Sequence, residues 1–161
     1  MPKAALESHF KGDASESRRF EESAIRRLRE AGFRITMPRL QVIRALATSD
    51  QALSAYGIHD RILGSGGRID VVSVYRILAT LSEVHLVHHI GVVDGYLACR
   101  IKSDHETQME HVICEQCGRV QELEVPAKAL EATELQLRQL GFSPANIKIE
   151  VLGKCTTCSS H

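Results

Sequence analysis

Two pairs of cysteines, each separated by two residues, limit most strongly what this chain can fold into. The first pair is Cys114 and Cys117, and the second is Cys155 and Cys158. Four thiolates in two such turns match the corners of a tetrahedral zinc site, and Gly118 permits the positive φ that the first turn favours. The pairs lie 37 residues apart, so the metal would fasten the end of a domain to its start. We predict a structural zinc site here, with free thiols or a redox dithiol as the alternative.

The charge is divided unevenly, although the net charge is zero. Residues 1–82 contain 13 Lys and Arg against 9 Asp and Glu, and residues 83–161 contain 7 against 11. A positive first half suits a polyanion partner, and the negative second half argues against a second surface for nucleic acid. No stretch approaches the roughly 18 apolar residues of a membrane span, and no signal peptide opens the sequence. We expect no membrane partner and a cytoplasmic protein whose thiols stay reduced.

Apolar periodicity between residues 18 and 101 predicts four helices followed by a two-stranded hairpin. Thr36 and Ser54 are expected to cap the second and third helices, and the fourth covers about residues 71–84. This order is typical of a winged helix-turn-helix, in which the helix before the wing enters the major groove of DNA. The outward face of that helix shows Ser73, Arg76 and Thr80, with Tyr75 beside them.

The remaining segments complete a prediction of the α+β class. Residues 1–17 are polar and read as a flexible tail, and residues 102–110 read as a charged linker. Residues 111–161 predict a β-β-α-β unit that is too small to stand alone. We therefore expect an N-terminal winged-helix DNA-binding domain at residues 18–101, followed by a small zinc-stapled α/β dimerisation domain.

A second group of potential metal ligands lies around the linker. It contains nitrogen and sulfur ligands with one carboxylate, a mixture that suits Zn²⁺ better than Mn²⁺ or Mg²⁺. Because the group draws on the first domain, the linker and the second domain, a bound metal would control how the domains are oriented. We predict a regulatory site made from four of these five residues: His88, Cys99, His105, His111 and Glu122.

No catalytic motif competes with these metal sites. The stretch from His105 to Met109 nearly matches the H-E-x-x-H motif of zinc peptidases, but Met109 stands where the second histidine is required. The sequence has no phosphate-binding loop, dinucleotide-binding fingerprint or Ser/His/Asp set. We expect a protein that is not an enzyme.

Four motifs together resemble the ferric uptake regulator family across nearly the whole chain, and two further features resemble its zinc uptake regulator branch. The branch features are Ser54-Ala55-Tyr56, at the start of the third helix, and the cysteine of Tyr96-Leu97-Ala98-Cys99. The four family motifs are Met37-Pro38-Arg39-Leu40, Val74-Tyr75-Arg76, the run from His111 to Gly118, and Cys155-Thr156-Thr157-Cys158.

The resemblance implies a zinc-responsive homodimer that represses zinc-uptake genes from an AT-rich inverted repeat in double-stranded DNA, with two zinc ions per chain. It implies that His88, Cys99 and His105 are sensor ligands, with His111 or Glu122 as the fourth. It also implies that four residues contact DNA: Arg39, Tyr56, Tyr75 and Arg76. We add Ser73 to this group because it lies on the outward face of the fourth helix. Two alternatives remain open at this stage, namely a sister sensor of iron, manganese, nickel or peroxide, and a zinc-stapled protein-interaction adaptor.

Overall fold

The computed structural model describes residues 14–100, 109–145 and 147–159. It divides the chain into two compact units, Met1–Arg100 and Ile101–His161, and each is described by itself below. Within the described residues, no helix is both long enough and apolar enough to cross a membrane. The helical first unit and the mixed second unit together are the α+β class that the sequence predicts.

The first unit is a winged helix-turn-helix. Each of its last three helices has an N-cap side chain that accepts a backbone N–H, and two of these caps, Thr36 and Ser54, are those predicted. The third, Asp70, caps the helix before the wing. The elements in chain order are α1 (Ala14–Glu30), α2 (Met37–Ala47), α3 (Ala55–Gly64), α4 (Val71–Glu83), β1 (Val87–Ile90) and β2 (Gly95–Ala98).

The core of this unit follows from helical spacing of apolar residues. On α1 the buried residues Phe20, Ala24 and Leu28 recur every four positions, so one stripe of the helix faces inward. The other helices contribute similar stripes, and each fully buried Leu or Ile stabilises the fold by about 1.5–3 kcal/mol relative to an exposed one. On α4 the buried residues are Val74, Ile77, Leu78 and Leu81.

The first helix begins earlier than the sequence indicates. The polar tail predicted for residues 1–17 is wrong for residues 14–17, which belong to α1. The hydroxyl of Ser17 donates a hydrogen bond to the carbonyl of Ala47 at 2.8 Å, at the end of α2. Because this bond joins residues 30 apart in the chain, local apolar periodicity carries no sign of it.

The wing packs against the segment that connects α2 and α3. Strand β1 pairs antiparallel with β2, with Ile90 opposite Gly95. The backbone of Tyr96 exchanges two hydrogen bonds with that of Leu53, at 2.8 and 2.9 Å. The wing is therefore fastened to the helices through its backbone as well as through its apolar side chains.

The second unit is a three-stranded sheet with two helices. Its strand order is β4-β3-β5, with β4 antiparallel and β5 parallel to the central β3. The predicted linker of residues 102–110 is too long, because Met109 and Glu110 already pair with Glu124 and Leu123 on β4. The elements are β3 (Met109–Cys114), β4 (Val120–Glu124), α5 (Ala127–Gln139), β5 (Glu150–Gly153) and the short α6 (Thr156–Ser159), which the sequence did not predict.

Candidate metal centre and nucleic-acid interface

The four paired cysteines form a single cluster in the second unit. Their sulfur atoms all lie within 4.8 Å of one another, and the Sγ atoms of Cys117 and Cys155 are 3.8 Å apart. A tetrahedral zinc with Zn–S bonds of about 2.3 Å places its sulfur ligands about 3.8 Å from one another. The four side chains therefore match the size and the donor chemistry of a tetrathiolate zinc site.

Strand ends and tight turns place these sulfurs. Cys114 ends β3, and the chain reverses through a turn in which Gly118 has φ +70° and donates its N–H to the Cys114 carbonyl at 2.8 Å. The parallel pairing of β5 with β3 brings the second pair alongside. Beyond β5, the N–H of Cys155 donates to the Sγ of Cys114 at 3.4 Å, and the N–H of Cys158 donates to the carbonyl of Cys155 at 3.0 Å.

The surroundings of the thiols lower the pKa of Cys114 and Cys155 but raise that of Cys158, so they oppose four thiolates without a cation. Backbone N–H groups of Cys155 and Cys117 lower the pKa of Cys114 to about 6. The hydrogen bond with the side chain of Cys155 raises the pKa of Cys158 to about 12. A divalent cation removes this conflict, because it binds all four sulfurs in the deprotonated form.

Two of the five predicted sensor ligands lie together on the wing. His88 on β1 is opposite Leu97, and Cys99 follows two residues later, where its N–H donates to the carbonyl of Leu86 at 2.9 Å. Since residues two apart on an extended strand share a face, His88 and Cys99 are diagonal neighbours on one face of the hairpin. Both residues are half-buried.

Two further predicted ligands are directly opposite each other in the second unit. His111 on β3 pairs with Glu122 on β4, so the two backbone positions face each other across the sheet. Burial, followed by the charge of Lys148, lowers the pKa of His111, which favours the neutral imidazole that binds metals. The side chain of Glu122 and all of His105 lie outside the described residues. The assembled five-residue site therefore stays a prediction.

The exposed face of α4 carries the predicted DNA contacts. Tyr75 and Arg76 are exposed, and Tyr56 of α3 meets Tyr75 edge-on with ring centroids 6.5 Å apart. The Ser73 hydroxyl donates to the Asp70 carboxylate at 2.6 Å, and the Ser73 N–H donates to the same carboxylate at 2.8 Å. These two bonds lower the pKa of Asp70, so its carboxylate stays charged at the positive end of the α4 dipole.

Three arginines line a cleft of about 500 Å³ beside α4. They are Arg34 before α2, Arg39 in its first turn and Arg76 on α4. The guanidinium of Arg39 lies 5.3 Å from the ring centre of Phe33 and also donates to the carbonyl of Arg34. Guanidinium groups beside a helix N-terminus suit phosphate. The sequence reasoning named Arg39 and Arg76 but missed Arg34, since only the fold brings the three together.

Known proteins resemble this chain in sequence and in fold. The zinc uptake regulation protein of Mycobacterium tuberculosis is 32% identical over 133 residues, which span 81% of this chain and 98% of that protein. A solved zinc uptake regulator complexed with zinc and DNA superposes with a TM-score of 0.76 at 26% identity, covering 89% of this chain and 95% of that one. The crystal structure of holo XcZur gives a TM-score of 0.71 at 27% identity, covering 89% and 99%.

The family itself follows from the extent of the match. The profile of the ferric uptake regulator family matches residues 30–152, which run from the end of α1 through β5 and include the first cysteine pair. The match therefore takes in the helix-turn-helix, the wing and the sheet of the second unit. This chain belongs to the ferric uptake regulator family.

Proposed function

We propose that this chain is a zinc-responsive DNA-binding transcriptional regulator, mainly a repressor of zinc-uptake genes with zinc as co-repressor. The observation that carries the proposal is the place of His88 and Cys99, on one face of the wing that directly follows α4. A histidine nitrogen and a cysteine sulfur thus lie on the same unit as the exposed Tyr75 and Arg76. The relatives named for zinc uptake regulation support the choice of metal.

We assign two zinc ions to each chain. Cys114, Cys117, Cys155 and Cys158 hold the structural ion, and their mutual spacing supports this assignment. Bound at the second site, zinc would join the wing, the linker and the second unit by ligation to four of His88, Cys99, His105, His111 and Glu122. That location suits a regulatory role, because its ligands come from both units.

The physical basis of the response is a shift in population. Without the regulatory ion, the two helix-turn-helix units of a dimer sample many separations; the ligated state selects one in which both α4 helices enter successive major grooves. To raise the fraction of dimers that can bind DNA from about 1% to about 99%, zinc must bind the competent conformation more tightly than the other conformations by about 5.5 kcal/mol. Several metal–ligand bonds are sufficient for that magnitude.

The second unit supplies the dimer contact in this proposal. Large apolar side chains stay exposed near the end of α5, among them Leu135 at 59%, Leu140 at 74% and Phe142 at 68%. A surface of this kind is typical of a face that a partner covers. A two-fold dimer would then read an inverted repeat, and we expect an AT-rich operator in double-stranded DNA.

The decisive variant is Cys99→Ser. We expect a folded dimer that retains its structural zinc but no longer tightens on DNA when zinc is added. DNA affinity is measured by gel shift across a zinc titration, with an operator selected from random-sequence duplexes by the zinc-loaded wild-type protein. The control is His89→Gln, which removes an exposed histidine of β1, on the same hairpin, that pairs with Asp94 at 3.0 Å.

Each outcome of this test separates the candidates. Full zinc-dependent binding by Cys99→Ser overturns the sensor assignment, whereas His89→Gln should respond as the wild type does. A wild-type response to iron, manganese, nickel or peroxide instead of zinc would assign a sister sensor. Salt-dependent, sequence-specific DNA binding would eliminate the adaptor, and its absence would leave only the adaptor.

A further inference from the structure

Arg100 connects the candidate sensor ligand Cys99 to the helix-turn-helix. It is the last residue of the first unit and directly follows Cys99. Its Nη2 atom donates to the carbonyl of Ala47, the last residue of α2, at 2.9 Å and to that of Ser49, two residues beyond the helix, at 2.8 Å. These bonds bring together residues more than 50 positions apart in the chain.

The end of α2 is a favourable place for this guanidinium. The last carbonyls of a helix have no partner within the helix, and they form the negative end of its dipole. The side chain of Arg100 is partly buried, and this burial lowers its pKa from the ordinary arginine value. It remains a cation, so the two bonds are charge-assisted.

The helix to which Arg100 donates its hydrogen bond, α2, packs against two helices that carry predicted DNA contacts. α2 packs against both α3 and α4, which carry Tyr56 and Arg76. On the other side of Arg100, the backbone of Cys99 is held by the bond from its N–H to Leu86. Cys99 is therefore linked to α2 within one unit, through its peptide bond to Arg100 and the hydrogen bonds of the Arg100 guanidinium.

We propose that Arg100 is a positioning residue that transmits the orientation set at the regulatory metal site to the helix-turn-helix. By fixing the chain exit after β2 to the end of α2, it extends to this exit the attachment that the Leu53 and Tyr96 backbone bonds give the wing. Without this link, ligation at Cys99 would move the exit segment without fully orienting α4. The inference rests on the proposed function, since it concerns the coupling between zinc binding and DNA binding.

A purely structural cap on α2 is the competing explanation, and the chain contains a matched control. Arg61 on α3 also donates to a carbonyl near the end of α2, from Nη1 to Ala45 at 3.2 Å. Arg61 is exposed on α3, and its bond joins α3 to α2 rather than to the exit after β2. Loss of a cap alone should therefore affect Arg61→Met and Arg100→Met alike.

The experiment compares Arg100→Met, Arg100→Lys and Arg61→Met as full-length proteins with their structural zinc. The measured quantity is the ratio of DNA affinities with and without added zinc, on the duplex selected by the wild type. Zinc bound per chain and thermal unfolding are recorded alongside. We expect Arg100→Met to bind two zinc ions per chain, while its ratio of DNA affinities with and without zinc falls about tenfold. A change of this size is within the usual range of coupling between two sites. Both bonds of Arg100 come from one nitrogen, so an ammonium with three donors should restore most of the ratio in Arg100→Lys.

The outcomes are distinct. An Arg100→Met ratio within twofold of wild type overturns the inference, as does an equal loss in Arg61→Met. A fall in affinity by the same factor with and without zinc assigns Arg100 a structural role only. A wild-type ratio near one would instead refute the proposed function itself, and the variants would then show no coupling to lose.

Discussion

The substitution Gly95→Ala tests how closely the wing packs against Ala52, in the segment between α2 and α3. A Cβ atom at position 95 would lie 2.9 Å from the Cβ of Ala52 and 3.2 Å from its carbonyl carbon. The next residues along both segments, Leu53 and Tyr96, are joined by two backbone hydrogen bonds. The strand therefore has no room to retreat without stretching these bonds.

The sign of the change in the free energy of unfolding shows whether the Cβ added at position 95 meets a close neighbour or open space. In open space, replacing glycine by alanine stabilises a protein by about 0.4–1 kcal/mol, because the unfolded chain loses freedom. Overpacking against a rigid neighbour costs about 1–3 kcal/mol. We expect Gly95→Ala to lower the free energy of unfolding by about 2 kcal/mol, which corresponds to a fall in Tm of about 10 °C for a unit of this size.

The assay is urea unfolding of the zinc-loaded protein, followed by the helical circular dichroism signal. Two controls accompany it. Gly57→Ala places a Cβ no closer than 3.4 Å to the Ser54 hydroxyl, and should stabilise α3 by about 0.5–1 kcal/mol. Ala52→Gly in the Gly95→Ala background removes the shortest contact and should restore part of the loss. A Gly95→Ala protein as stable as the wild type, or more so, would refute the reasoning.

Three further predictions follow from the two candidate sites. Cys114→Ser should lose the structural zinc and the cooperative folding of the second unit, measured by metal content and circular dichroism; a stable dimer with full metal content would count against the structural role. Arg76→Ala should lower the preference for operator over random DNA by about 1–3 kcal/mol, and an unchanged ratio would reject base reading by this arginine. A chelator of moderate strength should remove one zinc per chain and abolish tight operator binding while the helix and strand signals persist. Equal affinity after that removal would contradict the regulatory role of the second ion.

Much of the fold follows from local sequence signals, and in the first unit these were sufficient for the caps of α2 and α3 and for the buried stripe of α4. Thr36 and Ser54 predict their helix starts because an N-cap needs only a side-chain oxygen and the next turn of backbone. The buried stripe of α4 follows from helical spacing in the same way. The two cysteine pairs predict the metal cluster because each pair forms its own turn.

Contacts between distant segments were decided by tertiary structure alone. The parallel pairing of β5 with β3 determines which sulfurs meet, and the approach of Gly95 to Ala52 sets the position of the wing. The bonds from Arg100 to the end of α2 also depend on packing. Periodicity and capping concern neighbours within a turn or two, so the sequence alone predicted the elements and the donor atoms. Which remote carbonyls, glycines and arginines come together depends on how those elements pack, because these contacts join residues that are far apart in the sequence.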